Sequence, residues 1–114
     1  MSAADELIER IRNRLLPSPQ LAEETGSLAP DWMPDGGFSS PPRDAAVLIA
    51  IVRRGEALSI LYTERSPDLR SHSGQIAFPG GKIDPEDRGP GDAALREAWE
   101  EVALDRDDAR ILGY

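Results

Sequence analysis

The segment 44–65, DAAVLIAIVRRGEALSILYTER, constrains the fold of this chain more than any other stretch. It holds two apolar runs, Ala46–Val52 and Ala57–Thr63, separated by the turn RRGE. Their β-branched side chains are stiff in a helix and pack well on a pleated surface. Gly55 takes up a positive φ at little steric cost, which a tight turn between strands requires. A β-hairpin is predicted. The first run is apolar almost throughout, which predicts a strand covered on both faces.

Flanking segments supply helices. Residues Ala4–Leu16 carry Leu7, Ile8, Ile11, Leu15 and Leu16 at helical spacing, and Pro17 and Pro19 end that pattern. Six prolines fall between Pro17 and Pro42 without any sustained periodicity, so an irregular wrapping segment is expected there, pinned by Trp32, Met33 and Phe38. The expected organisation is therefore an N-terminal helix and proline-rich segment over 1–42 and a domain over 43–114. SPDLRSHSG is read as a polar loop and Gly74 as a turn residue. QIAFPGGKI is read as a short strand broken by Pro79, Gly80 and Gly81, and DPEDRGPG as a loop leading to a second helix. Asp92 is placed to cap that helix. DRDDAR is a solvated turn, and ILGY opens another apolar run.

The second helix, LREAWEEVAL from Leu95 to Leu104, puts three glutamates close together. Leu95, Ala98, Trp99 and Val102 share one arc, which predicts that they face the core, Trp99 included. Glu97, Glu100 and Glu101 share the opposite arc, where like charges repel by roughly a few tenths of a kcal/mol per pair. A bound divalent cation would offset that repulsion. Three or four strands with one such helix leave a sheet face bare, so the chain is expected to be the N-terminal part of a larger domain.

Composition narrows the chemistry. A chain of 114 residues suits one small domain, and a net charge of −8 argues against nucleic acid or an anionic membrane surface as partner. There is no cysteine, and His72 is the single histidine, so any metal must take oxygen ligands, as magnesium, manganese and calcium do. No stretch approaches the roughly 18 apolar residues of a membrane span, and MSAADELIERIRNRLL lacks the features of a signal peptide. A cytoplasmic location is expected.

From Gly81 onward the chain resembles the Nudix hydrolase signature. That signature runs from a glycine through an acid to Arg-Glu-apolar-x-Glu-Glu-x-Gly-apolar. REAWEEVAL, Arg96–Leu104, matches its second half, with Ala103 in place of the glycine. The loop acid has two candidates: Asp87 counted from Gly81, with eight residues before Arg96, or Glu86 counted from Gly80, with nine. Upstream, Leu61–Gly81 resembles the additional motif of the coenzyme A pyrophosphatase branch. Thr63, Arg65, Ser66, Arg70, Gly74, Phe78, Pro79, Gly80 and Gly81 all stand at its spacing, and Tyr62 departs from it.

The resemblance implies an α/β fold of the Nudix type, an α/β/α sandwich with a mixed sheet, incomplete at the C-terminus of this chain. It implies a Mg2+- or Mn2+-dependent diphosphatase that splits coenzyme A or its thioesters into 4′-phosphopantetheine, or its acyl form, and 3′,5′-ADP. Glu97 and Glu101 are the implied metal ligands, with Glu100 in the same cluster. Arg96 is implied to orient the helix through the loop acid. The backbone of Gly80 and Gly81 is expected to approach metal or phosphate closely. Arg65 and Arg70 are implied to recognise the substrate, since guanidinium forks suit phosphate oxygens. His72, a lone loop histidine, is read as structural or incidental. A small-molecule substrate is the expected partner, and a homodimer stays open. Two other readings remain: a Nudix hydrolase for ADP-ribose, NADH or a nucleoside triphosphate, and a catalytically silent Nudix-like binding module. The retained Glu97, Glu100 and Glu101 argue against the silent module.

Overall fold

A computed structural model describes residues 1–19, 44–64 and 74–114. The expectations for Trp32, Met33 and Phe38, and those for Arg65, Arg70 and His72, lie outside the described residues.

Helix α1 spans Ala3–Arg12. Ser2 and Asp5 close a capping box at its start, each side chain accepting the other's backbone N–H at 3.1 Å. The helix ends four residues before the expected Leu16. Its last turn tightens through Arg14 N–H to the Ile11 carbonyl (3.0 Å) and Leu15 N–H to the Arg12 carbonyl (3.1 Å). Leu16 precedes proline, which disfavours the α region. It pairs instead with Tyr114, through reciprocal backbone bonds of 2.8 and 2.9 Å. The start of α1 is tied to the hairpin turn by Arg53 to Asp5 (2.7 Å) and by the Glu56 carboxylate accepting Ala4 N–H (3.2 Å). Arg53, followed by Ser2, holds the Asp5 carboxyl down at about 2.

Strands β1 (Ala45–Val47), β2 (Ile51–Arg54), β3 (Ala57–Ile60), β4 (Thr63–Glu64), β5 (Ile76–Ala77) and β6 (Gly80–Lys82) follow. They form three antiparallel pairs, β1 with β6, β2 with β3 and β4 with β5. The hairpin is as expected: Arg54 opposes Ala57, and Gly55 lies between at φ +62°. Each apolar run, however, is two strands and not one. The first run changes partner in its middle, where Leu48 N–H reaches the Pro79 carbonyl (2.7 Å) and the Ala50 carbonyl accepts Leu61 N–H (3.0 Å). The second run turns in the same way from β2 to β5. Gly80 and Gly81 do not break a strand; they form β6 and pair with Val47 and Ala46, and the interruption falls at Phe78 and Pro79. The α/β class holds. Every pairing among the described residues is antiparallel, so these residues do not themselves form the mixed sheet of the expected sandwich.

Helix α2 spans Pro90–Val102 and packs on β1 and β6. Gly89 occupies its N-cap without a side-chain bond. Asp92, expected at the cap, sits inside the first turn and accepts Arg88 N–H at 3.0 Å while pairing with Arg106 at 2.6 Å. At the other end Ala103 adopts a left-handed conformation, φ 56° and ψ 33°. Beyond it a 3-10 turn, Arg106–Asp108, is capped by Asp105, in keeping with an exposed polar connection.

The core consists of methyl groups. Ala46, Ala93 and Ala94 are buried together, with Leu48 and Ile83 packed against them. The expected burial of the first run on both faces does not occur: Ala46 is the one buried residue of β1, and Val47 is 60% exposed. No helix among the described residues is long and apolar enough to cross a membrane.

Candidate active site

The approach of α2 to β6 sets the site. β6 reads Gly-Gly-Lys, so the helix lies against bare backbone, and only small side chains fit between. Ala93, Ala94 and Ala98 take those places and are buried. Trp99, expected in the core, is 57% exposed, because an indole cannot enter a gap closed by two glycines. The helix is therefore rotated relative to the reading from its largest apolar residues. Glu97 shares a face with Ala93 and Ala94, which precede it by four and three residues, so it is carried inward. Its side chain is 18% exposed.

Two of the three helix glutamates meet the glycine pair. The Glu97 carboxylate lies over the Cα of Gly81, 2.8 Å from where a Cβ would stand. Glu101 Oε1 accepts the Gly80 N–H at 3.4 Å. Glu100 stands apart, with its carboxylate oxygens 3.2 and 3.3 Å from Arg96 Nη1. Burial pushes the Glu97 carboxyl up, and the neighbouring Glu100 and Glu101 charges add to this against the pull of Arg96.

Arg96 binds the whole arrangement together. Its Nε and Nη2 donate to the two oxygens of Asp87 at 2.9 and 3.0 Å, a forked charge-assisted pair. Nη2 also donates to the Lys82 carbonyl at 3.0 Å and lies 3.4 Å from Asp84. Nη1 donates to Glu97 at 3.2 Å. One guanidinium thus joins the end of β6, the loop and α2. Asp87 is the acid that meets it, and its side chain is only 4% exposed. Asp87 also accepts the Asp84 N–H at 2.7 Å. The Arg96 bonds, followed by that from Asp84, hold the Asp87 carboxyl below the usual range, and the Arg96 guanidinium is raised in turn, first by Asp87. The parts played by Asp84 and the Lys82 carbonyl were not foreseen in the sequence. The spacing of Asp84 three residues before Asp87 is the one local sign of that turn.

The residues fit a divalent cation of the magnesium kind. Such an ion is commonly held by one or two carboxylates, with phosphate oxygens and waters completing its shell. Glu97 and Glu101 offer the carboxylates, and both reach the backbone of the glycine pair. Among the described residues no three His, Cys, Asp or Glu side chains converge into a ready cage.

The upstream motif is anchored at both ends. β4 and β5 pair on either side of residues 65–73, and Thr63 Oγ1 donates to the Ala77 carbonyl at 3.1 Å. The Tyr62 and Phe78 rings stack with centroids 5.1 Å apart. Thr63 and Glu64 thereby lie opposite Ala77 and Ile76, a few residues before the glycine pair in sequence. Gly74 has φ +75°, as a turn residue should.

A match to the NUDIX domain covers residues 41–114. The chain belongs to the Nudix family. It is 53% identical over 78 residues to the Nudix hydrolase NudL of Yersinia enterocolitica, covering 68% of this chain and 40% of that protein. It is 51% identical over 76 residues to NudL proteins of Yersinia pestis and Yersinia pseudotuberculosis, covering 67% of this chain and 38% of theirs. The chain spans about two fifths of the length of these curated relatives. The matched range includes Arg96, Glu97, Glu100 and Glu101 on α2 and Asp87 in the loop before it.

Proposed function

We propose that this chain carries the metal-binding and part of the substrate-binding machinery of a Mg2+- or Mn2+-dependent diphosphatase acting on coenzyme A or its thioesters. The observation that carries the reading is the convergence of Glu97 and Glu101 on Gly80 and Gly81, held in register by the Arg96–Asp87 fork. Glu97 and Glu101 would hold the metal, and Glu100, paired with Arg96 in this structure, would contribute to the same cluster. When bound, the cation supplies neutralisation of diphosphate charge and acidifies a ligand water.

The protein's own groups divide the remaining work. Asp87 fixes Arg96, and Arg96 fixes the azimuth of α2, so the two carboxylates keep their place over β6. Glycine at 80 and 81 lets the helix carboxylates lie directly on the strand backbone, where a substrate phosphate would meet the metal that they hold. Arg65 and Arg70 are assigned to the phosphates of the substrate, coenzyme A bearing a 3′-phosphate in addition to its diphosphate. The preference for coenzyme A over other diphosphates rests on the Leu61–Gly81 motif.

The test uses the intact protein with magnesium and, separately, coenzyme A, ADP-ribose, NADH and a nucleoside triphosphate. Formation of 3′,5′-ADP from coenzyme A is expected. Turnover of another substrate without it would overturn the choice of substrate, and no turnover of any would favour a binding module. Glu101→Gln is expected to lose most of the metal-dependent turnover with its circular dichroism unchanged. Full activity in that variant would remove Glu101 from the metal site.

A further inference from the structure

The two glycines of β6 are glycines for different reasons. A Cβ on Gly80 would collide with the Ala46 carbonyl oxygen and would stand 2.7 Å from the Val47 Cα. The backbone of the adjoining strand therefore demands Gly80. A Cβ on Gly81 meets no backbone so closely: its three nearest neighbours are Cδ, Oε1 and Oε2 of Glu97, at 2.8, 2.8 and 3.1 Å. The strand register agrees with this direction. Gly81 opposes Ala46, directly opposed residues of an antiparallel pair point to one face, and Ala46 is buried under α2.

We propose that Gly81 is a positioning residue for Glu97: the side chain it lacks leaves the space in which the Glu97 carboxylate lies. The consequence for metal binding rests on the function proposed above, whereas the packing itself does not. The obstructing atoms are the far end of a flexible side chain, so a methyl at 81 displaces the carboxylate and spares the strand. Arg96 Nη1, already 3.2 Å from Glu97, offers the displaced group another anchor. A substitution at 80 thus strikes the fold, and one at 81 strikes the site.

A double-mutant cycle in metal-free buffer tests the packing, with urea midpoints measured for the wild type, Gly81→Ala, Glu97→Ala and the combination. Gly81→Ala is expected to lower the midpoint when Glu97 is present and to have little effect when Glu97→Ala is already in place. Additive midpoints would overturn the proposal, as would a misfolding of Gly81→Ala that Glu97→Ala does not relieve. Mn2+ titration followed by electron paramagnetic resonance tests the consequence. Gly81→Ala is expected to weaken Mn2+ binding by about tenfold or more with native circular dichroism. Glu97→Asp, shorter by one methylene, is expected to cost less in the Gly81→Ala background than in the wild type. Costs that simply multiply would overturn the proposal. Failure of the wild type itself to bind Mn2+ would overturn the metal reading alone, and the urea cycle would still decide the packing.

Discussion

Replacing Ala103 by glycine should stabilise this domain. Ala103 ends α2 at φ 56° and ψ 33°, with its N–H bonded to the Trp99 carbonyl at 2.9 Å and the Leu104 N–H to the Ala98 carbonyl at 3.3 Å. For an L-residue with a side chain this conformation costs roughly 1–2 kcal/mol, because Cβ crowds the following carbonyl. Glycine escapes that cost but loses more backbone freedom on folding, roughly 0.5–1 kcal/mol relative to alanine. The balance is a gain of about 0.5–1 kcal/mol. For a unit of 114 residues, with an unfolding entropy of about 2.1 cal/mol/K per residue, this raises Tm by about 2–4 °C. Urea unfolding of Ala103→Gly, Ala103→Asn and Ala103→Val checks the cause as well as the sign. Asparagine tolerates the left-handed region better than alanine does, and a β-branched residue tolerates it worst. The expected order of midpoints is glycine, asparagine, alanine, valine. A wild type more stable than Ala103→Gly, or a valine variant equal to it, would refute the strain argument.

Two further outcomes follow from the charges. Asp87→Asn is expected to lower the urea midpoint at about pH 7, whereas Glu86→Gln leaves it unchanged. Because the folded carboxyl of Asp87 is depressed, its contribution is fully present above the unfolded value of about 3.9 and is lost as pH falls through the lower folded value, so the gap should close only in acid. Equal effects of the two variants would contradict the assignment of the loop acid. Glu97→Gln is expected to raise the midpoint in metal-free buffer at neutral pH, since the folded Glu97 carboxyl is raised by burial. That advantage is fully present above the raised folded value and vanishes as pH falls below the unfolded value of about 4.3, and adding Mn2+ should reverse the order of the two proteins. A wild type already more stable without metal would contradict it.

Much of this was legible in the sequence wherever the cause is local. The hairpin turn depends on Gly55 and its neighbours, and α2 on its own spacing, so both were readable. The points at which the two apolar runs change partner were not, because an unbroken run carries no mark of which strand lies beside it. The rotation of α2 was misread for a physical reason. The spacing predicts Leu95, Ala98, Trp99 and Val102 on the inward face; Ala98 is buried there, but the distance to Gly80 and Gly81 admits only methyl groups, so Trp99 and Val102 stay exposed and a carboxylate is carried in instead. The carboxylate pair itself, Glu97 and Glu101, was legible from its spacing. The choice between Glu86 and Asp87 was not, since it turns on the path of the loop, which brings the Asp84 N–H onto Asp87.

The grip of Arg96 on both ends of the acidic loop has a consequence for how such chains can diverge. Its contacts run from α2 to Asp87 and to the Lys82 carbonyl, so the stretch between Asp87 and the start of the helix, Arg88–Gly89, is bridged by that grip. Closing a slightly longer loop between two fixed points costs little, as the entropy grows only logarithmically with length. An insertion ahead of Gly89 therefore costs less than one inside α2, whose Ala93 and Ala94 seat the helix on β6, and a change of charge at either anchor is not tolerated in the same way. Relatives of this chain should keep the acid–arginine pair even where the stretch ahead of the helix differs in length.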